Sequence, residues 1–214
     1  MPSVIIDLSH TIITGMPAYP GTKEPEITVA NTVENDGFKE TELNILTHTG
    51  THIDCPAHIF KDGKTITGFT PDTFIGNAFV IDCRTVKPGE KIPAGILQQI
   101  PEKTDPPDFI LFCTGWDKYW SDTQYFSGFP VMSEELARAL LSYNLKGTGI
   151  DAVSVEPVND ENLEIHHILL SKELILIENL TNLDSLTGKT FTFCCFPLKL
   201  ADCDGSPVRA VAIL

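Results

Sequence analysis

HTGTHIDCPAH, residues 48–58, gathers three of the chain's six histidines and an aspartate into eleven positions, around a glycine and a proline. Thr49, Thr51 and Ile53 favour extended backbone and Pro56 disfavours a helix, so the pattern predicts a strand over residues 46–54. Alternation then turns His48, Gly50, His52 and Asp54 to one face and Thr49, Thr51 and Ile53 to the other. A straight strand, at ~3.3 Å per residue, would hold His48 and His52 about 13 Å apart at Cα, near the limit for two imidazoles sharing an ion. Bending is needed, and Gly50 permits it. Two neutral imidazoles and a carboxylate form a donor set suited to Zn²⁺ or Mn²⁺, with positions left for water. One histidine alone would be read as a hydrogen-bonded group on a strand face; three with an aspartate favour a metal site. His58, beyond the proline turn, is a candidate proton shuttle because imidazole titrates near neutral pH. A turn histidine in solvent is the plainer alternative.

Outward from this stretch, short runs rich in Val, Ile and Phe read as buried strands: SVIIDL (3–8), AFVIDC (78–83), DFILFC (108–113), LILIEN (174–179) and VRAVAIL (208–214). SEELARALLSYN (133–144) reads as a helix with Ser133 as its N-cap, acids in its first turn and KGTG as its stop. A second helix is predicted over residues 160–172 and a short one near AGILQQI (94–100). No repeat or composition break divides the 214 residues, so one domain, 1–214, is expected. Mixed short strands and a few helices make it an α/β domain with sheets packed on each other and on helices.

Composition excludes several classes. Fifteen basic against 29 acidic residues give a net charge of −14, which repels nucleic acid and anionic membrane. No segment approaches the roughly 20 apolar residues of a membrane span, and the opening MPSVIIDLSH lacks the pattern of a secretory signal, so a cytoplasmic protein is expected. The six cysteines lack CxxC spacing and sit in apolar contexts, as reduced, buried thiols do. There is no G-x-S-x-G elbow, GTGIDA lacks the full dinucleotide fingerprint, and there is no Walker A loop.

Two further histidines, His166 and His167, lie on the second helix, and Glu178 closes a buried apolar run. A buried carboxylate needs a partner, which a metal or a basic side chain would supply. Helical geometry leaves His166 and His167 equally eligible, pointing about 100° apart. GWDKYWSDTQYFSGFP concentrates aromatic residues that suit either a pocket for an aryl substrate or packing in the core or an interface. Tyr19 and Pro20 are a second candidate wall, and the DGSPVR turn brings Ser206 or Arg209 into consideration.

HTGTHIDCPAH resembles the HxGTHxDxPxH signature of the cyclase family of metal-dependent hydrolases, which includes bacterial kynurenine formamidases and isatin hydrolases. DLSHTIITGMPAYPG, GIDAVSVEP, HHILLSKELILIENL and FPLKLADCDGSPVRAVAIL are similar to other segments of that family, so the likeness spans the chain. Cys55 stands where an alanine is more usual. The resemblance implies a three-layer β/β/α, swivelling-type domain that forms homodimers. It implies that His48, His52 and Asp54 bind one divalent ion, Zn or Mn, and that Asp54 bridges to a second held by His166, rather than His167, and Glu178. His58 takes the place of the catalytic histidine. The implied activity is hydrolysis of a C–N amide bond in a small molecule, kynurenine formamidase-like. An isatin hydrolase-like activity on cyclic amides, or a metal- or metabolite-binding protein without turnover, are the alternatives.

Overall fold

The computed structural model describes residues 4–101 and 106–214; Ser3, at the head of the first expected strand, lies outside them. The strands are β1 (Ile5–Asp7), β2 (Glu26–Asn31), β3 (Glu40–Asn44), β4 (His52–Asp54), β5 (Ile75–Asp82), β6 (Lys91–Ile92), β7 (Phe109–Cys113), β8 (Val131–Met132), β9 (Gly147–Ile150), β10 (Ile175–Glu178), β11 (Thr190–Cys194), β12 (Gly205–Pro207) and β13 (Val211–Ile213). The helices are α1 (Val33–Asp36), α2 (Glu134–Leu140) and α3 (Glu164–Leu170).

Nine strands form one sheet in the order β1-β13-β11-β5-β7-β9-β10-β4-β12. Its centre, β5-β7-β9-β10, is parallel, and the flanking strands are antiparallel. Parallel strands covered on both faces should be continuously apolar, and β7 is buried throughout. Ile110 and Phe112 face a core shared with α2, α3 and Trp116, while Phe109 and Leu111 face a second core. That second core joins Ile53 and Ile177 from one end of the sheet to Phe193 and Ala212 from the other, so the sheet curls around it. Backbone bonds from Thr181 N to Leu8 O and from Leu8 N to Ala210 O tie the curl together. The result is a mixed α/β domain, with sheet across sheet on one side and helices on the other.

Three expectations are corrected. The strand predicted over 46–54 shrinks to β4, because Gly50 takes a left-handed φ of 64° that no ladder accommodates and residues 47–51 turn instead. The helix predicted over 160–172 begins at Glu164, because Leu163 is itself left-handed at φ 50°. The helix predicted over 133–144 ends at Leu140, short of the KGTG stop, and the Gly147–Gly149 part of that segment opens the central strand β9. A Cβ at Gly147 would lie 2.7 Å from Ile175 O, so the glycine allows close strand approach here rather than a turn. Helix α2 is capped by Ser133, whose Oγ accepts from Leu136 N at 3.1 Å, and residues 94–99 form a short 3-10 helix.

The six cysteines are free thiols, five of them buried. Among the described residues no helix is long and apolar enough to cross a membrane.

Candidate metal centre

Strand β4 lies between β10 and β12, and the register places Glu178 and Pro207 opposite His52, and Leu176 and Gly205 opposite Asp54. The turn at Gly50 folds His48 back beside the strand, bringing the His48 and His52 rings to 5.1 Å between centroids. His48 Nδ1 lies 2.6 Å and His52 Nε2 3.2 Å from Asp54 Oδ1. Helix α3 covers the same face from the other side. His166 Nε2 lies 3.6 Å from Asp54 Oδ2 and 3.5 Å from Glu178 Oε1, while Glu178 Oε2 lies 3.7 Å from His52 Nε2. Three groups of side chains could hold a metal: His48/His52/Asp54 and Asp54/His166/Glu178, joined at Asp54 and largely buried, and a more exposed group, His48/His58/Asp204, at the mouth of the site. His167 points away, against Phe60 and its own helix carbonyl Leu163 O.

His52 Nδ1 is 2.8 Å from Gly50 O, and a carbonyl only accepts, so Nδ1 carries a proton and Nε2, facing Asp54 and Glu178, is the nitrogen available to a cation held between them. Asp54 is fully buried, yet its Oδ2 has no hydrogen-bond partner among the described residues. His166 Nε2, at 3.6 Å, is an ion-pair neighbour beyond hydrogen-bond reach; a buried carboxylate oxygen without a hydrogen bond is costly, and a cation held by Asp54, His166 and Glu178 would satisfy it.

The electrostatics agree. Burial acts to lower the His48 pKa, but Asp54 and Asp204 outweigh it and lift it to about 10. His166 is likewise raised despite its burial, by Asp54, Glu156 and Glu178. Desolvation acts to raise the Asp54 pKa, but the neighbouring His52 and His48 outweigh it and hold the carboxyl well below the usual carboxylate range. A centre that binds protons this strongly is one that calls for positive charge, and the residues present fit a divalent ion.

His58 ends a short 3-10 turn over Pro56–His58, and its ring sits 4.1 Å from that of His48 and 5.9 Å from that of His166. Burial lowers its pKa, Asp54 opposes, and His48 and His166 add to the lowering. It is therefore neutral at pH 7, with its Nδ1 3.4 Å from Asp204 Oδ2.

Asp204 is the residue that reading the DGSPVR turn missed. It also accepts from His48 Nε2 at 2.9 Å and from Thr47 Oγ1 at 3.0 Å. Ser206 is instead buried in a backbone contact, donating to Pro207 O, and Arg209 pairs with Asp7 on the surface. The legible signal was the Asp-Gly pair. A Cβ at Gly205 would stand 2.6 Å from Ile53 O and 2.9 Å from His48 Cε1, so a glycine there lets β12 lie against β4 and the His48 ring. Glu156, within GIDAVSVEP, also went unread.

The centre opens into a cavity of about 450 Å³. Tyr19, Trp120, Tyr125 and Phe126 line its apolar side. The aromatic segment therefore divides: Trp116 and Phe129 belong to the core, whereas Trp120 and Phe126 face the cavity. Tyr19 reaches across to donate to Val158 O at 2.9 Å, while Pro20 lines an adjoining hollow that shares Tyr19, Trp120 and Phe126 with the cavity.

The family model "Putative cyclase" matches residues 6–157. The chain belongs to the cyclase family. The chain is 34% identical to an uncharacterised protein of Methanocaldococcus jannaschii across 98% of this chain and 99% of that one. It is 31% identical to a kynurenine formamidase of Geobacillus thermodenitrificans across 96% and 95%. Among solved structures, one described as a "potential metal-dependent hydrolase with cyclase activity" superposes with a TM-score of 0.82 at 27% identity, covering 99% of this chain and 98% of that one. Isatin hydrolase A of Labrenzia aggregata superposes with a TM-score of 0.89 over 99% and 94%, at 24% identity, a likeness of fold.

Proposed function

We propose that this cyclase-family protein is a metal-dependent hydrolase that cleaves a C–N amide bond in a small molecule, with His48, His52, Asp54, His166 and Glu178 as ligands and His58 as the proton-transfer residue. The observation that carries the reading is buried Asp54, shared by two donor groups, with an Oδ2 that no hydrogen bond reaches among the described residues. A divalent ion bound there supplies a Lewis acid and a water acidified toward neutral pH.

The chain's own groups do the rest. His58, neutral and beside the centre, takes a proton from the attacking water and passes it to the leaving nitrogen. Asp204 keeps the His58 ring in place through its Nδ1. Trp120 and Phe126 form an apolar wall that excludes water and seats a flat, aryl-bearing substrate. The kynurenine formamidase relatives favour an aryl formamide. A cyclic amide of the isatin type would fit the same wall, and a binding protein without turnover would have no need of His58.

The test is metal analysis of the purified protein, followed by hydrolysis assays on N-formylkynurenine, isatin and simple cyclic amides with Zn²⁺ and Mn²⁺ separately. Metal-dependent turnover of one of these is the expected result. Absence of any bound or activating divalent ion would sink both the hydrolase and the metal-binding readings.

A further inference from the structure

Of the three histidines that flank Asp54, His52 rests its far nitrogen on the Gly50 carbonyl, whereas His48 and His166 are each gripped on the far side by a second carboxylate. On the α3 side this is Glu156, which is buried and contributes no ligand to either cluster. Its Oε1 accepts from His166 Nδ1 at 2.5 Å and from His166 N at 3.1 Å, and its Oε2 accepts from Ile165 N at 2.9 Å. Helix α3 has no side-chain cap of the ordinary kind, since left-handed Leu163 occupies that position, so Glu156 arrives from ten residues upstream to serve its first turn. On the β12 side the carboxylate is Asp204, whose Oδ2 faces His48 Nε2 at 2.9 Å. The other nitrogen of each ring faces a different oxygen of Asp54: His48 Nδ1 faces Oδ1, and His166 Nε2 faces Oδ2.

We propose that Glu156 and Asp204 are paired positioning residues, each fixing the tautomer and ring plane of one histidine and so each serving one of two ion sites. Glu156 serves Asp54/His166/Glu178, and Asp204 serves His48/His52/Asp54. The inference rests on the metal reading of these clusters and adds which outer group governs which ion. A carboxylate that accepts one ring N–H leaves the opposite nitrogen as a lone-pair donor and raises its basicity, and loss of such a partner costs ~10–100-fold in metal affinity.

Calorimetric titration of the metal-stripped full chain with Zn²⁺ tests this, on the wild type, Glu156→Gln, Asp204→Asn and His166→Ala. Glu156→Gln keeps an acceptor oxygen for the helix and loses the charge. The expected result is that Glu156→Gln weakens one class of site ~10–100-fold and spares the other, whereas Asp204→Asn does the reverse. The ¹⁵N spectrum of the Zn²⁺-loaded wild type should show His166 protonated at Nδ1, a signature that a merely structural Glu156 would not require. The inference is overturned if both variants weaken the same sites alike, or if neither weakens any. Should Glu156→Gln not fold, Asp204→Asn decides alone: a selective loss supports the pairing and an unselective or absent one overturns it. His166→Ala separates the two levels. If it leaves Zn²⁺ binding intact, the ligand assignment itself falls; if it abolishes one site while Glu156→Gln changes nothing, only the positioning role falls.

Discussion

Glu178 stands directly opposite His52 in the register of β10 on β4, with Oε2 3.7 Å from Nε2. Directly opposed residues of an antiparallel pair point to the same face, so this one pairing carries a carboxylate across 126 positions of sequence into the histidine cluster. Asp54, two residues on from His52 and on the same face, completes the link to α3. Several outcomes follow from this arrangement.

His58→Ala should keep the ions of the two Asp54-centred clusters, to which His58 contributes no donor, although it does stand in the more exposed group with His48 and Asp204. Hydrolysis should fall by ~10²–10⁴-fold, the usual contribution of a positioned proton-transfer group. Metal content and kcat, measured on the same preparation, check this; a variant with full activity would remove His58 from the reaction.

Metal affinity should rise with pH. His48 in the metal-free protein is lifted to about 10, so its proton stabilises the fold fully below ~6.5, the unfolded value, and that contribution is lost as pH climbs through about 10. The ion must displace that proton. Calorimetry in buffers of different ionisation enthalpy should therefore detect proton release near pH 7. The melting temperature of the metal-free wild type, relative to His48→Gln, should decline between pH 7 and pH 10.

His10 behaves oppositely. Burial lowers its pKa to about 4, with Asp117 opposing, and its ring stacks on Trp120 at 3.8 Å with an interplanar angle of 5°. The unfolded chain binds this proton more readily, so stability is lost as pH falls from ~6.5 through about 4. After discounting for the exposed part of the ring, the loss is ~1–2 kcal/mol. Urea midpoints of the wild type minus those of His10→Gln should show that slope; parallel curves would refute it.

Gly205→Ala should destabilise the protein by ~1–3 kcal/mol, the range for overpacking, because its new Cβ meets the Ile53 carbonyl, which cannot swing aside. The His48 ring is the other obstacle, so the variant should also lose Zn²⁺ affinity. Thermal unfolding with and without Zn²⁺ separates the two effects.

The homodimer implied by the family resemblance has a candidate surface. Strands β2 and β3 form a separate two-stranded ribbon, in which Ile27 opposes Leu43 and Val29 opposes Thr41 on one face. Val29 and Leu43 are 60% and 59% exposed, and a two-stranded ribbon with an uncovered apolar face is marginal in water. We propose that a second copy covers it. Light scattering should give a dimer for the wild type and a monomer for Val29→Lys combined with Leu43→Lys; a monomeric wild type would overturn the proposal.

Strands and the capped helix α2 were legible where apolar runs and capping residues act locally, as at LILIEN and Ser133. Legibility failed where glycine was ambiguous. Gly147 and Gly149 read only as a helix stop because the sequence does not show that Ile175 and Ile177 press against them, and Gly50 reads as a bend within a strand because alternation continues through it.

The sequence by itself determined the donor chemistry: histidines and an aspartate at spacings whose side chains, once the chain bends, share one face, with His58 set apart by Pro56. Periodicity and spacing are short-range properties, and they reach as far as one element. Only the tertiary structure decided that Glu178 opposes His52, that the α3 rotation turns His166 inward and His167 outward, and that Asp204 and Glu156 stand behind the ligands. Apart from the Glu156–His166 contact, which spans ten residues, those relationships are set by sheet register and helix docking between segments more than a hundred residues apart.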